Sequence, residues 1–154
     1  MANQATYDDA NLILRLYELR RDEKLRTARE WFMKNFRAKS LEEVMQMIPM
    51  GSQENAYFRM VISYWEMAAS FVTAGVLNRD LFFESNGELM AVWERTRHLL
   101  PEFRAMFKNP ESWKNLEQVG NAYIEHMKSK GPGVYEGFQA MVNSPMPATA
   151  QKAG

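Results

Sequence analysis

Residues 55–75 read NAYFRMVISYWEMAASFVTAG, and this stretch decides the fold. At 100° per residue, Asn55, Arg59, Ser63, Glu66, Ser70 and Thr73 fall on one narrow strip of a helix. The remaining circumference carries Tyr57, Phe58, Met60, Val61, Ile62, Tyr64, Trp65, Met67, Phe71 and Val72, with alanines between them. A helix so widely apolar has to sit at the centre of a domain with other elements around it. Ser52 caps its start, and Gly75 is placed to end it as a C′ residue.

Working outward, the pattern stays helical. Asp8 and Asp9 supply negative charge to a first helix that Thr6 or Asp8 caps, and the periodicity runs to about Phe36. Its apolar stripe changes face midway. Leu12, Leu16 and Leu19 share one side, whereas Leu25, Ala28, Phe32 and Phe36 lie about half a turn away. Arg20-Arg21-Asp22-Glu23-Lys24 separates the two sets. Either the helix breaks at this charged run, or one long helix packs on two surfaces and its first half is an arm for self-association.

Ser40 with Glu43 forms a capping box for a short helix through Ile48, which Pro49 and Gly51 end. Beyond the central helix, Asn78 caps a short turn of helix from Arg79 to Phe83, and Ser85-Asn86-Gly87 signals a turn. Glu88 to Leu100 is helical, and Pro101 fits a kink or the first turn of a new segment reaching Phe107. Asn109-Pro110 reads as N-cap and N1 of a last long helix through Met127. Val134 to Val142 forms one weak amphipathic helix after Gly131-Pro132-Gly133. No strand alternation occurs anywhere. The expectation is an all-α protein, an irregular bundle of five or six helices, with a single helical domain over 1–142 and a disordered tail over 143–154.

Composition narrows the function classes. The 154 residues suit one core. Lys+Arg and Asp+Glu number 19 each, so the electrostatic footprint of a nucleic-acid binder is missing. The basic cluster Arg15, Arg20, Arg21, Lys24, Arg26 and Arg29 is interleaved with Glu18, Asp22, Glu23 and Glu30, which describes a solvated, salt-bridged helix face. The absence of cysteine excludes disulfides, thiol nucleophiles and thiolate metal sites, and fits a reducing compartment. The first residues lack a signal-peptide pattern. The longest apolar run, Met60 to Leu77, carries Glu66 in its middle and reads as a core helix, not a membrane span. A cytoplasmic location is expected.

The string Asn55-Ala56-Tyr57-Phe58-Arg59-Met60-Val61, running into Tyr64-Trp65-Glu66-Met67-Ala68, then Gly75, Phe82 and Ser85-Asn86-Gly87-Glu88, resembles a known family, as does the earlier Leu16-Tyr17-Glu18-Leu19-Arg20-Arg21. The resemblance is to small bacterial helical proteins grouped as domain of unknown function 4760. It covers roughly Asp8 to His126, and the tail from Lys130 onward lies outside it. It implies an all-helical fold and a bacterial cytoplasmic or membrane-adjacent setting. It implies no activity and assigns no functional residue.

The candidate chemistry is sparse. A metal is not expected: only His98 and His126 exist, and neither completes the Glu-x-x-His pair of a di-iron bundle. Glu94 and His98 stand at i, i+4, where a helix C-terminal histidine is the plainer reading. Ser63 or Ser70 with His98 has no Gly-x-Ser-x-Gly elbow behind it. Carboxylate pairs among Glu66, Glu84, Glu88 and Glu94 are ordinary for solvated helices. Gly131-Pro132-Gly133 lacks phosphate-loop spacing. The 12 methionines are mainly core fillers, although Met45, Met47 and Met50 are placed to line a mobile apolar groove beside the central helix.

Two readings follow. In the first, the protein is a non-enzymatic helical domain that self-associates or binds a protein partner, with Leu12, Leu16 and Leu19 as the arm. In the second, it is a small-molecule pocket protein, or an enzyme, using the seam Arg59, Ser63, Glu66 and Ser70. No cofactor, nucleic acid or transmembrane span is expected in either. Glu66 is the deciding residue: it lies in a solvent strip, in a buried pair with an arginine, or in a pocket.

Overall fold

The computed structural model describes residues 4–144. Among them the chain forms helices α1 (Tyr7–Arg20), α2 (Glu23–Asn35), α3 (Leu41–Met47), α4 (Gln53–Thr73), α5 (Arg79–Ser85), α6 (Gly87–Thr96), α7 (Leu100–Phe107), α8 (Lys114–Ser129) and α9 (Val134–Asn143), with a 3-10 turn at Arg97–Leu99. The all-α class is as the sequence indicates. The division is finer than five or six helices, because the short helices α5, α7 and α9 stand as elements of their own. Of the tail expected over 143–154, residues 145–154 lie outside the described residues.

The first amphipathic stretch is two helices. The Asp22 carboxylate accepts the N–H groups of Lys24 and Leu25 at 3.1 and 3.4 Å and so starts α2 afresh. A charged run that reads as a change of face is thus a capped break. α1 folds back on its own chain. Leu16 is buried in the core, Leu12 packs against it, and Leu19 is 41% exposed. The Tyr64 hydroxyl donates to the Leu16 carbonyl at 2.6 Å, and burial pushes its phenol up to about 12. A capping box between Thr6 and Asp9 begins α1, and Asp9 also accepts the N–H of Asn78 at 2.9 Å.

α4 is the axle, with α2 along one side and α8 along another. Val61, Trp65, Ala68 and Ala69 of α4 are fully enclosed, as are Ala28, Phe32 and Phe36 of the α2 segment and Leu116 of α8. Each large apolar side chain buried in this way stabilises the fold by about 1.5–3 kcal/mol. α6 packs against α8 and α9. The α6–α8 approach is very close at Gly120, where an added Cβ would lie 2.4 Å from Trp93 Cδ1.

One charged residue inside the bundle holds three chain segments together. Arg95 of α6 is 5% exposed. Its guanidinium donates to the carbonyls of Phe32 at 3.1 Å and Met33 at 2.6 Å, and to that of Val142 at 2.9 Å. These are carbonyls near the C-terminal ends of α2 and α9, where orphan acceptors and the negative end of the helix dipole favour a cation. Burial pulls the Arg95 pKa down to about 10, so it stays charged at neutral pH. Nearer the start of α2, Arg29 grips the Glu88 carboxylate through Nε at 2.9 Å and Nη2 at 2.5 Å, and reaches the Arg20 carbonyl at 3.0 Å. That fork ties the junction of α1 and α2 to the start of α6.

Candidate functional site

The polar seam of α4 divides along its length. Its C-terminal half is a docking line for α8. Trp113, immediately before α8, is left-handed with φ +56°, and no side chain of its own segment caps the helix. Glu66 supplies the missing acceptors. Its carboxylate takes the N–H of Leu116 at 2.7 Å, the N–H of Asn115 at 3.2 Å and the Asn115 Nδ2 at 2.9 Å. A carboxylate there satisfies orphan donors and complements the positive end of the α8 dipole. Thr73 completes the line, its hydroxyl lying 2.6 Å from Asn115 Oδ1. Glu66 is therefore partly buried and partnered, with a helix N-terminus instead of an arginine.

The start of α8 is accordingly a correction to Asn109-Pro110 as N-cap and N1. Residues 110–113 form turns, and the helix begins at Lys114. The Asn109 side chain accepts the Glu111 N–H at 3.0 Å, while its own N–H closes on the Arg104 carbonyl at 3.1 Å. Asn109 thus caps the α7 end and a turn. The left-handed Trp113 then seats its ring 4.7 Å from Phe103 and 6.0 Å from Phe58. Aromatic packing at these separations adds about 0.5–1.5 kcal/mol per pair beyond burial.

The N-terminal half of the seam borders a groove. It runs between α3, α4 and α7 and has a volume of about 930 Å³. One wall is Val44, Met45 and Ile48, with Met50 beyond the end of α3. The floor is α4, through Ala56, Phe58, Met60 and Ile62. The opposite wall is Phe103, Met106, Phe107 and Trp113. Asn55, Arg59, Ser63 and Glu66 are its polar border. Met50 is 91% exposed and Phe107 59%, so the groove opens under flexible apolar side chains. Its size falls in the usual range of about 300–1,000 Å³ for small-molecule sites, which are mostly apolar with few polar groups.

Of the seam residues singled out from sequence, Arg59, Ser63 and Glu66 line this groove and Ser70 does not. The Ser63 and Ser70 hydroxyls donate to carbonyls of their own helix, of Met60 at 3.3 Å and Met67 at 2.6 Å. Arg59 Nε donates to Asn55 Oδ1 at 2.9 Å, and Asn55 Nδ2 donates to the Ile48 carbonyl at 3.1 Å. Met45 and Met50 take the groove-lining role expected of them, while Met47 packs against the core. The α7 contribution was missed. Phe103, Met106 and Phe107, spaced i, i+3 and i+4, are the signal that marks a shared helix face.

A second, polar cleft of about 700 Å³ lies where Glu94, Arg97, His98, Lys128 and Tyr135 approach one another. Its groups satisfy one another. The Tyr135 hydroxyl donates to Glu94 at 2.7 Å and accepts from Arg97 at 2.8 Å, and Gln139 donates to Glu94 at 2.8 Å. Burial, then the bond to Glu94, push Tyr135 up to about 12. His98 Nε2 faces the Ala38 carbonyl at 2.8 Å, so Glu94 and His98 have separate partners. Among the described residues no three His, Cys, Asp or Glu side chains gather as a metal site, and no helix is long and apolar enough to cross a membrane.

Searches of the curated proteins and of the solved structures returned no match to this chain. The model of one family matches residues 5–123, a span containing the whole of the groove and the α4–α8 junction and excluding α9. On that match the chain belongs to the family described as Domain of unknown function (DUF4760).

Proposed function

We propose that this protein is a binding domain, not a catalyst, and that the groove between α3, α4 and α7 takes up a small apolar ligand. The observation that carries the reading is the ready-formed groove of about 930 Å³ with methionine and phenylalanine walls. Methionine side chains adapt to ligand shape at little cost, which suits an apolar guest. The polar border supports binding over chemistry because three of its four side chains, those of Glu66, Asn55 and Ser63, are already engaged. Glu66 holds α8, Asn55 holds the end of α3, and Ser63 bonds its own helix. The setting that goes with the reading is bacterial and either cytoplasmic or membrane-adjacent, as the family resemblance implies.

Nile red, a neutral apolar dye, tests it. Saturable one-to-one binding is expected for the intact protein. Ser63→Trp places a bulky side chain at an exposed position on the groove border and should abolish binding while leaving the thermal melt in place. Absence of saturable binding, or equal binding by a folded Ser63→Trp variant, overturns the reading.

A second reading, self-association, is favoured by a specific feature of α1. Tyr7, Leu14 and Tyr17 are exposed on one face of that helix, opposite the buried Leu16. It predicts a dimer mass in solution that Leu14→Glu converts to monomer. A monomer at all concentrations removes it.

A further inference from the structure

The polar border of the groove carries two charged residues, and their chemistry narrows the ligand. Arg59 is the cation among the residues lining it, and Glu66 the anion. The two are seven residues apart on α4, about 10 Å along the axis. Glu66 is taken up by the amides of α8 and Asn115. Arg59 makes no ion pair among the described residues. Its orientation is nevertheless set. The Ile48 carbonyl holds Asn55 Nδ2, and Asn55 Oδ1 holds Arg59 Nε, at 3.1 and 2.9 Å. That relay engages one edge of the guanidinium and leaves the terminal Nη1 and Nη2 groups for a ligand. A guanidinium with two parallel donors matches a carboxylate in a bidentate fork.

We infer that the ligand is an amphipathic carboxylate, with its apolar chain along the methionine and phenylalanine walls and its carboxylate on Arg59. The inference rests on the apolar-ligand reading above and adds the identity of the head group. Three probes with one tail separate the two: decanoate, decanol and decyltrimethylammonium, titrated into the full chain by calorimetry. Decanoate should bind about five- to ten-fold more tightly than decanol, and the cation most weakly, because an exposed charge-assisted fork is worth roughly one factor of ten at most. Arg59→Gln should bring decanoate down to the decanol affinity and leave decanol unchanged. The decanoate preference should also shrink as salt is raised.

Equal affinities for the three probes, or a carboxylate preference that survives Arg59→Gln, overturn the head-group inference and leave the apolar groove standing. Failure of decanol and decanoate alike to bind overturns both. Arg59 is exposed, so its replacement is compatible with folding, and an unchanged thermal melt verifies this alongside the titration.

Discussion

The carboxylate of Glu66 accepts the backbone N–H of Leu116 at 2.7 Å, so one helix caps another across 50 residues of sequence. Removing the acceptor leaves the first turn of α8 without a cap, since Trp113 offers no side-chain bond. A helix cap is worth about 0.5–2 kcal/mol, and hydrogen bonds to a charged group about 1.5–3 kcal/mol. Glu66→Ala should therefore cost about 2 kcal/mol in urea unfolding, and Glu66→Gln, which keeps one acceptor oxygen, about 1 kcal/mol. Hydrogen exchange at the Asn115 and Leu116 amides should rise in both variants. A change in stability under about 0.5 kcal/mol, of the size expected at a plain surface position, would contradict the cap.

Arg95 makes the bundle dependent on a buried cation. Replacing it with Met keeps bulk but leaves the carbonyls of Phe32, Met33 and Val142 without this donor. A loss of about 3 kcal/mol is expected, the size typical of a broken buried polar network. The loss should fall unevenly. α9, held partly through Val142, should exchange its amides well before α4. Uniform exchange of α4 and α9 in the variant would show that Arg95 does not hold α9.

Gly120 fixes how near α8 comes to α6. A Cβ there would meet Trp93 Cδ1 at 2.4 Å, a ring that is 2% exposed and has little room to move. Gly120→Ala should cost about 1–3 kcal/mol through overpacking, despite the better helix propensity of alanine. Combining it with Trp93→Leu should recover part of that loss, so the double variant is less damaged than the sum of the singles. Strict additivity in the double-mutant cycle would contradict a direct clash.

Alkaline pH should destabilise the fold through its tyrosines. Tyr64 and Tyr135 keep their phenol protons up to about 12 in the folded chain, against 10.0 for the free side chain. Between those values the unfolded chain has released protons that the folded chain still holds, so stability falls as pH rises. Arg95 acts oppositely. Its pKa is pulled from 12.5 to about 10, so the folded chain releases that proton first and stability gains with rising pH. Tyr64→Phe with Tyr135→Phe should therefore flatten or reverse the fall in urea midpoint above pH 10. An unchanged slope in the double variant would contradict the tyrosine assignment.

The sequence shows its helices clearly because apolar spacing and caps are local. Ser52, Asn78 and Asp22 cap helices through bonds to residues two or three positions away. Even the box at Ser40 is nearly legible: Glu43 returns its carboxylate to Lys39 N instead of Ser40 N. Half of the groove was visible for the same reason, through Met45, Met50 and the seam on α4. What spacing does not carry is the partner across the fold. Glu66 meets α8 from 49 and 50 positions away. Arg95 sits in an ordinary helical pattern, and only carbonyls 47 to 63 residues distant make its burial tolerable. Trp113 turns left-handed to reach an aromatic cluster, and that displaced the start of α8 from the local Asn-Pro signal.

Methionine methyl groups report directly on ligand entry into the groove between α3, α4 and α7. With ¹³C-methyl methionine incorporated, a titration with decanoate should shift the resonances of Met45, Met50, Met60 and Met106, which line the groove. Met90, fully buried on α6, should stay in place. Saturating shifts confined to those four methyls are the predicted result. Shifts absent from them, or spread evenly over Met90 and the rest, would contradict a ligand site between α3, α4 and α7.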